Sequence, residues 1–160
     1  MLVSIIIPCF NERQTIEKLI NKILEIKDIN KEIIIVDDNS NDGTKQILKD
    51  QLINKVSKIL FNEKNEGKGY SVKKGIDNCV GDIVIIQDAD LEYDPKEYKK
   101  LLKPILDGHA DVVYGSRFIG SEEKRILFFW HTVANKMLTL LSNMFSNLNL
   151  TDMETCYKVF

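Results

Sequence analysis

Hydrophobic residues in the first hundred positions follow two alternating patterns. Short apolar runs rich in β-branched residues predict buried β-strands, and they cover residues 2–7, 33–36, 57–61 and 83–86. Apolar residues at helical spacing follow these runs, most clearly between 12 and 27. Because strands and helices alternate, we expect an α/β fold with a Rossmann-like, mostly parallel sheet and helices on both faces.

The later part of the chain adds three elements. Asp94, Pro95 and Glu97 predict a helix start, since Asp can cap, Pro suits the first turn and Glu can close a capping box. Residues 112–114 predict a further strand, and 126–148 form a long helical segment. We find no internal repeat and no linker, and we therefore interpret 1–160 as a single domain.

Composition excludes several classes of protein. The chain has 160 residues, 44% of them hydrophobic, and a formal net charge of −2. This apolar share is typical of a folded domain, and the balanced charge argues against a dedicated nucleic-acid binder. Three cysteines without a Cys-x-x-Cys pair provide no zinc-ligand spacing and favour a reducing compartment. Without a signal peptide or a spanning segment, we expect a cytoplasmic location.

Acidic residues follow three of the predicted strands. They are Glu12, the Asp37–Asp38 pair, and Asp88 with Asp90. Ligands bind α/β sheets beyond the carboxyl ends of the strands, so these carboxylates should converge on one rim. Such oxygen ligands suit Mg²⁺ or Mn²⁺ bound together with substrate phosphates. Each pair taken alone could instead start a turn and cap a helix.

Four ordered motifs carry a resemblance to a known family. They lie at 8–12, 36–44, 65–69 and 88–90, in the order seen in family 2 glycosyltransferases. The chain looks most like the dolichol-phosphate mannose synthase and polyprenyl-phosphate hexose transferase branch. The resemblance implies a GT-A fold, a UDP- or GDP-linked sugar donor, Mg²⁺ or Mn²⁺, and inversion at the anomeric carbon. The acceptor would be a polyprenyl or dolichyl phosphate, or a sugar hydroxyl.

The resemblance also implies roles for individual residues. Nucleotide-sugar contacts would come from Pro8, Phe10, Glu12, Val36, Asp38, Lys68, Asp88, Ala89 and Arg117. Metal ligands would be Asp88, Asp90 and Glu92, the last at a position where relatives often have Gln. Arg117 would contact phosphate, for which its planar guanidinium is suited. Lys68 taken alone fits a solvated loop lysine, and Arg117 a surface ion pair.

Residues 151–158 resemble the family segment that approaches the acceptor. Asp152 would be the general base that deprotonates an attacking sugar hydroxyl, with Glu154 as the substitute. A phosphate acceptor is already largely ionised, and in that case Asp152 would position the acceptor or the metal shell. A helix N-cap is an equally open interpretation of Asp152.

The segment 126–150 concentrates large apolar and aromatic side chains around Lys136. It fits an interfacial helix at a membrane surface, which would place the protein peripherally at the inner face. An ordinary amphipathic helix packed on the sheet, or on a second subunit in a homo-oligomer, is the interpretation that the sequence by itself favours. His131 within it is better explained as a packing residue than as a catalytic one.

Two other functions fit parts of the pattern. A phosphoacceptor receiver domain also ends a strand in two acids, but it needs a lysine directly after a late strand, and Lys103 lies in a helical stretch. A catalytically silent domain of the same fold would bind a partner through the aromatic segment. Because relatives usually continue beyond the position of Phe160, the resemblance also predicts a catalytic domain truncated at its C-terminus.

Overall fold

A computed structural model describes residues 1–116 and 129–160. Within them a six-stranded sheet has the order β3-β2-β1-β4-β6-β5. The strands are β1 (Val3–Cys9), β2 (Lys31–Asp37), β3 (Lys58–Phe61), β4 (Ile83–Ile86), β5 (Val113–Tyr114) and β6 (Lys158–Val159). The helices are α1 (Ile16–Glu25), α2 (Thr44–Ile47), α3 (Lys68–Ile76), α4 (Tyr98–Leu106) and α5 (Phe129–Ser146).

The first four strands form a parallel sheet with a helix on each face. Every residue of β1 is buried, which explains its continuous apolar run. Ile5 and Ile7 join the cluster that contains the buried residues of α1. Ile6 points to the other face, where a Cβ on Gly75 of α3 would clash with its Cγ2. The predicted doubly covered, mostly parallel sheet is therefore confirmed.

Strand β6 is the element that the sequence patterns did not predict. It pairs antiparallel with β4, with Lys158 opposite Ile86, and antiparallel with β5. Lys158 and Val159 form no apolar run that would indicate a strand. The reversal has a large consequence, because the residues just before β6 lie at the carboxyl end of β4. The 151–157 segment thereby reaches the rim where the parallel strands end.

Several predicted elements differ in their details. The helix expected around residue 47 is a single α-helical turn, α2, continued by a π-helical turn at Leu48–Leu52. The predicted cap is confirmed, because the Asp94 carboxylate accepts a hydrogen bond of 3.1 Å from the Lys96 N–H. In the 126–148 prediction, residues 126–128 lie outside the described part of the chain. No helix among the described residues is long and apolar enough to cross a membrane.

Candidate nucleotide-sugar site

Asp38 is held in a fixed orientation directly after β2. It is 3% exposed, and its carboxylate accepts hydrogen bonds from Asn62 Nδ2 at 2.7 Å, the Glu66 N–H at 2.9 Å and the Gly67 N–H at 2.8 Å. Burial alone would raise the pKa of this carboxyl, but these donors outweigh burial and lower it. Asp38 is therefore an ionised anchor for the 62–67 loop. Gly67 has a φ of +89°, which a glycine adopts readily.

The loops after β1 and β2 are joined by hydrogen bonds between backbone and side chains. The Asn11 N–H donates to Ser40 Oγ and the Glu12 N–H to Thr44 Oγ1, both at 2.9 Å. In return the Asn41 N–H donates to Asn11 Oδ1 at 2.9 Å. Asn11 has a positive φ of 58°, a conformation that asparagine tolerates better than most residues. The two motifs recognised in the sequence therefore form one continuous polar rim.

The residues assigned to the nucleoside pocket differ in accessibility. Pro8 and Val36 face each other in the β1–β2 register and are buried. Phe10 is 45% exposed at the rim, so its ring is available to a ligand. The Glu12 carboxylate accepts a hydrogen bond of 2.5 Å from Thr15 Oγ1 at the start of α1. Phe10 is thus the one of these four that offers an open apolar surface.

Adjacent residues at the start of α3 connect Asp38 to Asp88. While Gly67 donates its N–H to Asp38, Lys68 Nζ lies 2.5 Å from Asp88 Oδ1. The end of β2 and the turn after β4 therefore meet at the same rim, as the sequence predicted. Lys68 does not act here as the free loop lysine of the alternative interpretation. Its ion pair with Asp88 opposes the effect of burial and raises the pKa of Lys68.

Asp90 and Glu92 continue the turn beyond Asp88. Both are exposed, and the Glu92 N–H donates to Asp90 Oδ1 at 3.0 Å. The pKa of Asp90 is raised, first because the surrounding turn partly desolvates the carboxyl of this surface residue, and further by the carboxylates of Asp88 and Glu92. Asp90 is therefore close enough to other negative charges that a bound cation would stabilise its ionised form.

The donor set fits a metal that arrives with a phosphate ligand. Within residues 1–116 and 129–160 no three His, Cys, Asp or Glu side chains form a group that could hold a metal by themselves. Mg²⁺ usually binds one or two carboxylates together with substrate phosphates. The neighbouring pair Asp88 and Asp90 meets this requirement, and the place of Glu92 as a third ligand stays a prediction.

Gln87 supports the turn at 88–92, called the acidic turn below. The sequence patterns did not single out this residue. It is completely buried, and its Nε2 donates to the carbonyls of Asp88 at 3.0 Å and Tyr93 at 3.2 Å. Its Oε1 accepts a hydrogen bond of 2.9 Å from Tyr98 Oη. Gln87 thereby closes the loop that carries Asp88, buried Ala89 and Asp90. A glutamine at the end of a purely apolar strand is the signal that could have identified it.

The 151–157 segment lies against this loop. Lys68 Nζ donates to Cys156 Sγ at 2.9 Å, and the Cys156 N–H donates to Tyr93 Oη at 3.3 Å. Tyr157 packs on Tyr93 with ring centroids 4.8 Å apart and donates from its hydroxyl to the Asp94 carbonyl at 2.9 Å. The predicted acceptor segment therefore meets the predicted donor site at Lys68.

The two candidate bases share one partner. Asp152 is 1% exposed and Glu154 is exposed. Asn135 Nδ2, on α5, lies 3.2 Å from Asp152 Oδ1 and 3.0 Å from Glu154 Oε2. The sequence did not single out Asn135, because its partners are 17 and 19 positions away. Arg117 lies outside the described residues, two positions after Gly115, whose N–H donates to the Tyr157 carbonyl at 2.8 Å.

Comparison with known proteins identifies the family. The model of the family described as "Glycosyl transferase family 2" matches residues 4–159. The chain belongs to glycosyl transferase family 2. The match confirms the predicted resemblance and favours a glycosyltransferase over a receiver domain.

Two individual proteins are also similar to this chain. The dolichol-phosphate mannosyltransferase of Pyrococcus furiosus is 34% identical over 120 residues, which are 74% of this chain and 34% of the relative. A solved mannosyltransferase of Pyrobaculum calidifontis, in complex with GDP-Man and Mn²⁺, is 28% identical with a TM-score of 0.50. That likeness covers 55% of this chain and 27% of the other. The chain thus spans about a third of the length of the curated relative it matches.

The predicted GT-A fold is confirmed by a likeness that covers 98% of this chain. It is to glucosyl-3-phosphoglycerate synthase from Mycobacterium tuberculosis, in complex with Mn²⁺, UDP and glucosyl-3-phosphoglycerate. That structure has a TM-score of 0.73 at 21% identity, and the match covers 55% of its chain. At this identity the likeness establishes the fold alone.

Proposed function

We propose that this domain binds a UDP- or GDP-linked hexose at the polar rim and transfers the hexose, with inversion, to an acceptor at the 151–157 segment. The observation that carries the proposal is the set of contacts made by the neighbouring residues Gly67 and Lys68. It joins the Asp38 anchor to Asp88 of the acidic turn, and Lys68 also contacts Cys156. The residues assigned to donor and acceptor therefore meet at one place.

On the donor side, we assign the nucleoside to the joined loops after β1 and β2. Phe10 offers an exposed ring for stacking, and ionised Asp38 fixes the loop that ends at Lys68, the first residue of α3. Lys68, Arg117 and the backbone of the acidic turn are the candidate groups for the diphosphate. A charged lysine beside a departing diphosphate stabilises the negative charge that develops there.

The metal ion belongs to the donor side as well. Asp88 and Asp90 would hold Mg²⁺ or Mn²⁺ between the protein and the diphosphate, with Glu92 as the further candidate ligand. When bound, the ion would supply electrophilic stabilisation of the leaving nucleotide. The Mn²⁺ in the complex of the Pyrobaculum calidifontis mannosyltransferase supports this assignment.

On the acceptor side, the requirement depends on the nucleophile. A sugar hydroxyl must lose its proton as it attacks the anomeric carbon, and Asp152 or Glu154 would accept that proton. A polyprenyl phosphate is largely ionised near neutral pH, so there the carboxylates would position it. The name of the Pyrococcus furiosus relative, a dolichol-phosphate mannosyltransferase, favours the lipid phosphate.

The outer face of α5 supports a lipid acceptor. Trp130 is 76% exposed, Met137 57% and Met144 70%, and no acidic residue occurs between 129 and 151. An apolar, acid-free helix face with exposed aromatic residues near both ends, Trp130 and Phe145, suits the surface of an anionic membrane. We propose that α5 lies on the cytoplasmic membrane surface, where a polyprenyl phosphate is found.

Nucleotide binding tests the donor part of the proposal. Titration calorimetry with GDP and UDP, with and without Mn²⁺, should show binding that depends on the metal. Asp88→Asn and Asp90→Asn should each weaken it at least about tenfold, because each removes a charge-assisted contact. Asp77→Asn is the matched control, since Asp77 pairs with Lys73 on the surface of α3. Metal-independent binding, or none to either nucleotide, would contradict the proposal.

A product assay separates catalysis from binding alone. The protein is incubated with the nucleotide-sugar that binds best, Mn²⁺, and either a polyprenyl phosphate or a free hexose. Transfer to one acceptor identifies its class. Metal-dependent binding without transfer to either would instead favour the catalytically silent domain.

A further inference from the structure

Helix α5 buries polar side chains and exposes most of its large apolar ones. Only Asn135 and Thr139 are buried among its described side chains, although most helices of globular proteins bury their apolar stripe. The two residues are four positions apart and therefore lie on the same face. Burial of an amide and a hydroxyl is unfavourable unless both are hydrogen-bonded. The reason for this arrangement must lie in what they contact.

Their contacts form a closed network on the acceptor segment. Asn135 Nδ2 donates hydrogen bonds to Asp152 Oδ1 at 3.2 Å and to Glu154 Oε2 at 3.0 Å. Asn135 Oδ1 accepts a hydrogen bond of 3.3 Å from Thr139 Oγ1, which in turn accepts one of 3.2 Å from the Met153 N–H. Carboxylates accept hydrogen bonds and an amide NH₂ has two to donate, so the orientation of the amide is determined.

We infer that Asn135 is a positioning residue of the acceptor site, which holds the carboxylates of Asp152 and Glu154 together through its NH₂ group. Two carboxylates this close repel each other when both are ionised, and a donor shared between them offsets that repulsion. Thr139 keeps the amide turned toward them. Because Asn135 lies on α5 and not in the 151–157 segment, α5 sets the direction in which the carboxylates face the acceptor.

This inference rests on the proposed function. Asn135 touches neither the donor-side loops nor the acidic turn in any described contact. Its removal should therefore change the transfer step and leave nucleotide binding intact. A misplacement of about 1 Å in a reacting group can cost about 100-fold in rate, so we expect a large effect on kcat.

The test compares variants of two asparagines on the same helix. Asn135→Ala should lower kcat for transfer about 30- to 100-fold, with the dissociation constant for the nucleotide in Mn²⁺ changed less than twofold. Thr139→Val keeps Asn135 but removes its orienting bond, and should lower kcat about fivefold. Asn143→Ala is the control, because Asn143 bonds only the backbone of Leu150 in the described contacts, at 2.8 and 2.9 Å.

The outcomes are separable. A selective loss of kcat in Asn135→Ala and Thr139→Val, absent in Asn143→Ala, supports the inference. Equal kcat in wild type and Asn135→Ala, or equal losses in Asn135→Ala and Asn143→Ala, overturns it. If Asn135→Ala fails to fold, wild-type kcat in Thr139→Val overturns it. Wild type that binds nucleotide but transfers to no acceptor overturns the proposed function instead, and with it any role in transfer.

Discussion

Helices α1 and α5 both have an apolar face, but they turn it in opposite directions. α1 buries Ile16, Leu19, Ile20 and Ile23 against the sheet. α5 buries Asn135 and Thr139 and leaves most of its large apolar side chains exposed. The two helices therefore have different roles in the protein. α1 stabilises the fold through burial of apolar surface, whereas α5 organises two carboxylates and presents an apolar surface outward.

The proposed donor side, built around Asp38 and the acidic turn, and the proposed acceptor side, built around Asp152 and Glu154, differ in the same way. On the donor side, Asp38 is held largely by backbone N–H groups from a loop that follows a parallel strand. On the acceptor side, Asp152 and Glu154 are held by a side chain from a separate helix. Backbone donors come with the fold itself, while the acceptor side depends on the placement of one asparagine.

The largest effect expected on the acceptor side comes from the carboxylates themselves. If the acceptor is a hydroxyl, loss of the base should lower kcat by about 10²–10⁴. Asp152→Asn and Glu154→Gln, measured in the product assay, identify which carboxylate takes the proton. Equal, small losses in both would indicate an acceptor that is already ionised, and would limit the role of α5 to positioning.

The contrast between the helices predicts unequal effects on stability. Leu19→Ala should lower the free energy of unfolding by about 3 kcal/mol, because Leu19 is completely buried and a cavity would remain. Leu140→Ala on α5 should change it by less than about 0.5 kcal/mol, since Leu140 is 60% exposed. Urea denaturation measures both. If Leu140→Ala lowered the free energy of unfolding as much as Leu19→Ala, the proposed difference between α1 and α5 would be wrong.

Asp38→Asn tests the backbone-held anchor. The amide would turn an NH₂ toward N–H donors, which should lower the free energy of unfolding by about 1–3 kcal/mol at pH 7. The pKa of Asp38 is lowered in the folded protein, so its stabilising contribution is full above about pH 5 and is lost as pH falls below about 4. The difference between wild type and Asp38→Asn should therefore shrink in acid. A constant difference down to pH 3 would contradict this account.

The smallest effect is expected on nucleotide binding, from a change at Lys68, which contacts both Asp88 and Cys156. Lys68→Met removes the charge that pairs with Asp88 and should weaken nucleotide binding in Mn²⁺ about fivefold, as expected for a partly exposed charge. Lys64→Met is the matched control, because Lys64 pairs only with Glu66 in the described contacts and its side chain is 77% exposed. Unchanged binding in Lys68→Met would remove Lys68 from the donor contacts.

The donor side was predictable because its information is local. Buried strands appear as apolar runs, and Asp37, Asp38, Asp88 and Asp90 follow those strands directly in the sequence. Parallel strands end at one edge of a sheet, so the meeting of these residues follows from the strand assignments. What the sequence did not indicate is how they are held, since Asn62, Gly67 and Gln87 act through contacts set by loop conformation.

The acceptor side was only partly predictable. The family resemblance predicted Asp152 and Glu154 as acceptor-site residues, and periodicity predicted the helix that became α5. Neither could show that α5 turns its polar face inward, because a helical repeat gives the angle between side chains and not the side on which the protein lies.

By itself, the sequence determined the strand–helix order, the family and the set of acidic residues at the rim, all of which depend on short stretches of chain. Only the tertiary structure decided that a two-residue antiparallel strand brings the 151–157 segment back to the end of β4. It also decided that Asn135 meets two carboxylates there. These contacts join residues far apart in the chain, and their geometry depends on packing that no local pattern specifies.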